Sequence, residues 1–459
     1  GGGGAMMIKM KHSEPILYDC FVDRPSISSK KKIDFYKTVI DFGDSNQSFY
    51  IGKGSIGVPG NLAGLVKIQN DFGELPLSVV LEPAIYIARN GCRLTKEQSY
   101  IFQILKPIFS SSYEAKKLLY KNNQPFKQGD LFKNIDFATF LERVISEGIG
   151  FFYRGEVARK IHELLLDGGL VNFDSLKNYK VIKRTPIVYN YNGYDVYSNP
   201  LPSEGGSLII FLLKLLEHSN NNNSIMQLIK AMSITENARE ELIFMSKKNK
   251  SFNIFNKKEF NKYIEMFNSN KIFFKNKQDL NNRGCTTQVS IIDKNQNCAS
   301  ITTSNGAGSG YVIPETGIML NNMLGEEDLN PNGFHNWNRP GRLSTMMSPS
   351  IILLAGKPMM VLGSGGSNRI RSAIVQVLLN YFNYNMDLRQ AINSHRFHIE
   401  GKKIFYEPDI DISKIKSKFN FSYIPFSNKN LFFGGVNAVT TTEGYSDPRR
   451  GGVSEVLDE

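Results

Sequence analysis

The spacing of apolar positions changes character three times along the chain. Residues 5–10 and 16–21 are short apolar runs flanking a polar turn, His12-Ser13-Glu14-Pro15, which predicts a β-hairpin. Residues 23–60 are rich in Ser, Lys and Gly and carry no period. Gly57-Val58-Pro59-Gly60-Asn61 then reads as a turn feeding a helix from Leu62. Across 62–170 apolar residues recur every three or four positions, as in 79–87 and 157–166, so this stretch is expected to be mainly helical. Gly168-Gly169 stops the second of those helices. Residues 188–191 and 194–197 read as strands, 200–206 as a turn, and 208–216 as an apolar helix. Residues 219–283 are polar and Asn-rich, and predict a flexible segment, then helices, then an exposed linker ending near Arg283-Gly284.

At Thr286 the texture turns to β. Residues 286–293 alternate as a strand, Lys294-Asn295-Gln296-Asn297 is a turn, and 298–303 returns. A second hairpin follows: 350–354, a turn at Ala355-Gly356-Lys357-Pro358, and 359–362. That strand runs into Gly363-Ser364-Gly365-Gly366-Ser367, and a helix opens at about Asn368. No internal repeat is visible.

Composition narrows the class. The chain has 459 residues, 41% hydrophobic, 21% charged and 11% aromatic, which fits a soluble globular protein with a large core and room for two to three domains. The net charge of +12 comes from Lys scattered through Asn-rich stretches. It forms no basic helix with interleaved aromatics, so a solvated surface is expected rather than a nucleic-acid partner. No run of eighteen apolar residues predicts a membrane span. Cys20, Cys92, Cys285 and Cys298 are too widely spread for a disulfide framework, and no CxxC pair suggests zinc. His162-Glu163 lacks a second His, and His395 and His398 lack a third ligand, so no metal or other cofactor is expected. The chain opens on four glycines with neither Met nor signal peptide, so its front is expected to be missing. The compartment, cytoplasmic or periplasmic, stays open.

Three constellations carry chemistry. Gly284-Cys285-Thr286-Thr287 heads a strand, where β-branched residues need no further reason. Scission before Thr286 would instead give one residue a hydroxyl and a free α-amine. An α-amine of ordinary pKa about 7.7–8.0 can serve as base for its own hydroxyl. The run Gly363 to Ser367 is either a plain turn or a set of outward N–H groups fit for an oxyanion. A phosphate loop is disfavoured because Asn368-Arg369 stands where Lys-Ser/Thr is needed. Thr303-Ser304-Asn305-Gly306 ends the strand returning from Thr286, and is either turn chemistry or a neighbour of the nucleophile.

In this order along the chain, these segments resemble the γ-glutamyltranspeptidase family. Its landmarks include the Gly-rich start, Gly57-Val58-Pro59-Gly60, the stretch from Phe152 to Ala158, and Pro202-Ser203-Glu204-Gly205-Gly206. Later ones are Thr286-Thr287, Gly317 to Asn322, Met347-Ser348-Pro349, Gly363 to Ile370, and Ser446-Asp447-Pro448-Arg449. The resemblance implies an α+β fold, a four-layer αββα sandwich cut by itself into a large subunit, 1–285, and a small one, 286–459, that stay associated. It implies Thr286 as nucleophile (Cys285 being the weaker candidate), and cleavage between Cys285 and Thr286. Thr303 and Asn305 would contact nucleophile and substrate, Gly366 and Ser367 would form the oxyanion hole, and Ser344 and Thr345 would hold a substrate carboxylate. The expected partners are a small γ-glutamyl or other amide substrate and a water, amino-acid or peptide acceptor.

The departures fall in the glutamyl pocket. The family's carboxylate-pairing Arg corresponds to Phe21, within Asp19-Cys20-Phe21-Val22. The polar and acidic residues after Asn321-Asn322 become Met323, Leu324, Gly325, Glu326 and Glu327, of which Glu326 is the candidate for the substrate amino group. The Ser344 segment is one residue longer than the family's. Another small acid amide, or a paralogue that never cleaves, are the competing expectations.

Overall fold

Thr286 opens the strand Thr286–Ile292, which returns as Cys298–Ser304. Their turn is tied by Asp293, whose carboxylate accepts from both the backbone and side-chain nitrogens of Asn297, at 2.7 and 2.8 Å. In the computed structural model, which describes residues 1–27, 32–41, 46–218, 224–248, 253–269 and 286–457, this hairpin is one side of a five-stranded sheet. Its order is Ile182–Arg184, Ile16–Cys20, Gly3–Lys9, Cys298–Ser304, Thr286–Ile292. The anticipated N-terminal hairpin is therefore also present.

The chain divides into two compact units. One holds Gly1–Gly4, Tyr18–Ile182 and Thr303–Leu343; the other holds Ala5–Leu17, Lys183–Thr302 and Ser344–Glu459. The second unit contains a six-stranded antiparallel sheet in the order Ile187–Tyr191, Tyr194–Ser198, Ser350–Leu354, Lys357–Gly365, Gly435–Val439, Gly444–Ser446. Two-residue turns set its register. Asn192 and Gly193, and likewise Ala355 and Gly356, all take positive φ, the geometry that matches strand twist. On one face lie the helices Glu204–Leu216 and Arg369–Phe382, whose apolar residues share a core with Val196, Ile352, Met360, Leu362 and Val436. On the other face lies the Thr286 hairpin, joined by Ser300 Oγ donating to Leu362 O at 2.8 Å and Ser290 Oγ to Asn437 O at 2.9 Å.

In the first unit, helices Asn61–Phe72, Ile135–Glu147 and Glu156–Leu164 surround a core of Val58, Phe140, Phe152, Val157, Ile161 and Leu320. Asn61–Phe72 lies against Tyr18, whose hydroxyl donates to Asp71 Oδ2 at 2.6 Å and whose ring meets Phe72 edge-on. The layering is that of an αββα sandwich, of class α+β.

Four differences from the sequence pattern have physical reasons. Residues 23–60 contain an antiparallel pair, Tyr36–Asp41 with Asn46–Ile51; only isolated residues of it, such as Ile40, Phe49 and Ile51, are buried, too few to make a period. The helix at 208 starts four residues earlier, at Glu204, because the N–H groups of Glu204 and Gly205 both donate to Thr345 O. The strand expected to stop at Leu362 continues to Gly365. The Thr286 strand alternates with inverted sense: Gln288 is buried, while Val289 and Ile291 are exposed. The flexible segment at Asn220 to Asn223 and the linker to Cys285 fall outside the described residues.

Candidate active site

The inverted strand explains itself at the seam where the Thr286 strand meets the six-stranded sheet. Gly363 and Gly365, two residues apart, share one face of their strand, and that face meets the Thr286 strand. A Cβ on Gly363 would lie 2.1 Å from Gln288 Oε1. A Cβ on Gly365 would lie 2.4 Å from the Thr286 carbonyl oxygen. Glycine is required at both places for the backbones to approach. Buried Gln288 ties the seam together: its Nε2 lies 2.9 Å from Ser290 Oγ and 3.1 Å from Ser300 Oγ, and its Oε1 accepts from Thr302 Oγ1 at 2.5 Å. Asn437 Nδ2 donates to Gln288 O at 2.9 Å. A strand whose inner face must satisfy polar groups carries its apolar residues outward.

The same glycine strand then turns into a helix. Gly366 has φ +128 and Ser367 φ +53, and Arg369 and Ile370 N–H bond back to their carbonyls at 3.0 and 3.1 Å. A Cβ on Gly366 would sit 2.9 Å from Gly434 Cα. The strand beside the glycines, Gly435–Val439, is tied to the Asp447 cluster. Asp447 accepts from Val436 N–H at 3.0 Å and pairs with Arg396 at 2.7 Å and Arg449 at 3.2 Å. Burial alone would raise its carboxyl, but Arg396 and Arg449 outweigh that and hold it below the usual range.

Thr286 also lines a cleft of about 490 Å³ with Ser290, Asn437, Ser446 and the chain from Arg450 to Glu455. In the same unit, Thr345 is committed to structure. Its carbonyl accepts from Ser203 Oγ at 2.7 Å, and its hydroxyl accepts from Met347 N–H at 3.1 Å. Ser344 Oγ is buried and makes no hydrogen bond.

The remaining candidates belong to the first unit. Asn305 Nδ2 donates to Met319 O at 3.1 Å, while its Oδ1 is buried and accepts nothing. The next residue, Gly306, turns at φ +65, and a Cβ there would lie 2.1 Å from Asn322 Oδ1 and 2.5 Å from Glu326 Oε1. Asn322 fixes this turn by accepting from Ala307 N–H at 2.8 Å. Thr303 is half-buried at the end of its strand. Phe21 is 1% exposed, its carbonyl accepting from Tyr179 OH at 2.8 Å. A buried arginine does stand nearby, Arg342, but its guanidinium is engaged by Asp19 at 2.9 Å and Asp23 at 2.7 Å.

Cys285 lies outside the described residues. Burial pushes the Cys20 and Cys298 thiols up to about 12, so neither is a thiolate near neutrality. His398 hydrogen-bonds Ser372 Oγ at 2.7 Å, and His395 faces Asp409 at 3.5 Å. Gln288, Asn437 and Arg450 escaped the sequence reading. Gln288 had a signal, being a polar residue on the Thr286 face of a strand.

An αββα sandwich with a threonine at the head of a strand beside a glycine-lined turn defines the class of N-terminal-nucleophile hydrolases. The family model described as Gamma-glutamyltranspeptidase matches residues 1–457, and the chain belongs to that family, whose members are acyl-transferring and hydrolysing enzymes. It is 29% identical over 431 residues to the glutathione hydrolase proenzyme of Escherichia coli strain K12, covering 87% of this chain and 73% of that one. It is 30% identical over 468 residues to the capsule biosynthesis protein CapD proenzyme of Bacillus anthracis, covering 98% and 81%. Its fold is similar to that of the cephalosporin acylase from Bacillus halodurans, with a TM-score of 0.82 at 18% identity, over 100% of this chain and 88% of that one.

Proposed function

We propose that this protein hydrolyses or transfers γ-glutamyl groups after cutting itself between Cys285 and Thr286, into 1–285 and 286–459. The observation that carries the reading is the contact of the Thr286 backbone with the Gly365 turn. In maturation the Thr286 hydroxyl attacks the Cys285 carbonyl, the amide shifts to an ester and so frees the Thr286 α-amine, and water then cleaves the ester to release the Cys285 carboxylate and the Thr286 hydroxyl. In turnover that amine takes the hydroxyl proton, Oγ attacks the substrate amide, and the Gly366 and Ser367 N–H groups hold the oxyanion. The leaving amine takes the proton, and water or a second amine then receives the acyl group. Within the unit that holds Thr286, Ser344 supplies a substrate contact. Thr345 serves chiefly by positioning Ser344.

The test is N-terminal sequencing of the smaller fragment together with activity on γ-glutamyl-p-nitroanilide. A fragment beginning at Thr286 and release of nitroaniline are expected; a start at Cys285 or Thr287 overturns the assignment. A second reading, hydrolysis of another small acid amide on the same fold, is favoured by one observation: buried Phe21 stands where the family's carboxylate-pairing Arg is expected. Cleavage of the chain with no γ-glutamyl turnover decides for it. A chain that stays uncut on prolonged incubation decides for a non-catalytic paralogue.

A further inference from the structure

We infer that Gln288 is a positioning residue for Thr286, and that Thr302 fixes Gln288 in turn through a hydrogen bond of forced direction. The inference rests on the reading of Thr286 as a nucleophile freed by scission. After scission no residue precedes Thr286, so the strand that follows is its only covalent tether. Thr287 is exposed, and Gln288 is the first buried side chain after the cut. Residues two apart on a strand share a face, so Gln288 stands next to Thr286 on the side that meets the glycine strand. The two strands touch at both residues. A Cβ on Gly365 would lie 2.4 Å from Thr286 O, and a Cβ on Gly363 would lie 2.1 Å from Gln288 Oε1. Whatever fixes Gln288 against Gly363 therefore fixes Thr286 against Gly365.

What fixes Gln288 is a chain of hydrogen bonds that can run only one way. Ser300 Oγ donates to Leu362 O at 2.8 Å, and Ser290 Oγ donates to Asn437 O at 2.9 Å. A hydroxyl has one proton, so both serines are left as acceptors toward Gln288. Val289 O, 2.9 Å from Gln288 Nε2, can also only accept. The amide must then turn its Nε2 toward these groups, at 2.9 Å from Ser290 Oγ and 3.1 Å from Ser300 Oγ, and its Oε1 the other way. Buried Thr302 meets that oxygen as the donor, at 2.5 Å. Asn437 Nδ2 closes the set on the Gln288 carbonyl at 2.9 Å. Two carbonyls of the six-stranded sheet, those of Leu362 and Asn437, thus dictate through two serines which way the amide beside Thr286 faces. An apolar side chain of the same length leaves Thr302 with no acceptor and the serines with no donor. Buried polar groups stranded in this way pull the strand out of place to find partners.

The experiment measures self-cleavage, kcat, KM and Tm for Gln288→Met, Thr302→Val and Thr302→Ser, with γ-glutamyl-p-nitroanilide as substrate. Leu215→Ala, a core change in the same unit, is the control. Gln288→Met keeps the length and loses the amide. Its kcat should fall about ten- to thirtyfold with KM nearly unchanged, short of the roughly hundredfold that a full ångström of misplacement can cost. Thr302→Val should lower kcat less, and Thr302→Ser, which keeps the donor, should match wild type. Self-cleavage should slow less than turnover, because the uncut chain still holds Thr286 from both sides. Leu215→Ala should lower Tm at least as far as Gln288→Met and leave kcat unchanged. The inference is overturned by an unchanged kcat in Gln288→Met, by equal loss in Thr302→Ser and Thr302→Val, by self-cleavage slowed as much as turnover, or by an equal fall of kcat in Leu215→Ala. If Gln288→Met does not mature, the two Thr302 variants decide. If wild type is cut but spares the nitroanilide, the same comparison is made on acylation of Thr286 by p-nitrophenyl acetate, read as a burst of nitrophenol and located by mass spectrometry. A wild type that is not cut before Thr286, or is not acylated there, overturns the functional reading and this inference with it. A cut, active wild type with unaffected variants overturns this inference alone.

Discussion

The seam beside Thr286 and the turn at Asn305 face the same task with different materials. The seam is built from backbone: glycines at 363 and 365 let two strands meet, and Gln288 closes the polar groups that contact leaves. The Asn305 turn is built from side chains, with Asn322 and Glu326 crowding Gly306 and Phe21 buried in the core. Backbone contacts admit almost no substitution, because a single Cβ collides with a carbonyl. Side-chain contacts admit many. At the glycine turn the chain keeps Gly366 and carries Ser367 for the second of the family's two glycines, while the larger departures fall at Phe21 and after Asn322. On the proposed function, reaction class and substrate choice thus rest on two different kinds of structure.

The most damaging way to test this contrast is at the proposed nucleophile. Thr286→Ala should leave one uncut chain without amidase activity, and Thr286→Ser should cut more slowly because the hydroxyl remains. A gel of each variant, with activity on γ-glutamyl-p-nitroanilide, decides it; scission of the Ala variant means that another group performs the attack.

Next is Gly365→Ala. Its Cβ would meet the Thr286 carbonyl, a backbone atom that cannot rotate away. The strands must part, displacing Thr286 from the proposed donors, the Gly366 and Ser367 N–H groups. Loss of an oxyanion contact typically costs about a hundred- to a thousandfold in kcat. Gly363→Ala should be milder and should be partly relieved in combination with Gln288→Ala, since the group it meets is the end of a side chain. Equal kcat for Gly365→Ala and wild type would mean that the seam does not position the nucleophile. Gly366→Val is a poorer probe, since φ +128 and the Gly434 backbone strain the fold as well as the donor.

The seam was legible in the sequence and the pocket only in outline. Period-2 alternation placed both hairpins of the β half, and the Gly-Ser-Gly-Gly run marked the turn. What the pattern could not give was the sense of the Thr286 strand. A rule of apolar residues inward predicts Val289 and Ile291 buried, and the structure buries Gln288 instead. That inversion depends on Gly363 and Gly365, some seventy residues away, which no local window contains. The Tyr36–Asp41 and Asn46–Ile51 pair was missed for a related reason, its few buried residues giving no local period. Arg450 was passed over because the family motif ends one residue earlier, at Arg449.

A smaller effect is expected in the pocket. Without an Arg at position 21, the substrate α-carboxylate lacks a charge-assisted partner worth about 1.5–3 kcal/mol, so the KM for glutathione should be raised about ten- to a hundredfold over relatives that have it. The structure also changes what the reverse substitution should do. At 1% exposure, Phe21→Arg buries a charge whose acidic neighbours already pair with Arg342, and should lower Tm rather than rescue KM. A tenfold drop in the KM of Phe21→Arg would show that position 21 reaches the substrate.

The least effect should come from protonating the support behind the seam. Asp447 has its carboxyl held low, because Arg396 and Arg449 outweigh the penalty of burial. A depressed folded pKa means that the stabilisation is fully present above the unfolded value of about 3.9 and is lost as pH falls through the folded value. Wild-type Tm should therefore drop by a few degrees as pH is lowered below about 4. Asp447→Asn should start lower at neutral pH, and its gap to wild type should close as the acid limb is descended. Asp130 provides the control in the other unit: its carboxyl is also held low, first by Lys121, but at an exposed site. Solvent screens such a pair, so Asp130→Asn should leave the acid limb nearly unchanged. Parallel Tm curves for wild type and Asp447→Asn from pH 7 to pH 3 would mean that the cluster is held by its hydrogen bonds alone, and that its charges contribute nothing to the position of the glycine turn.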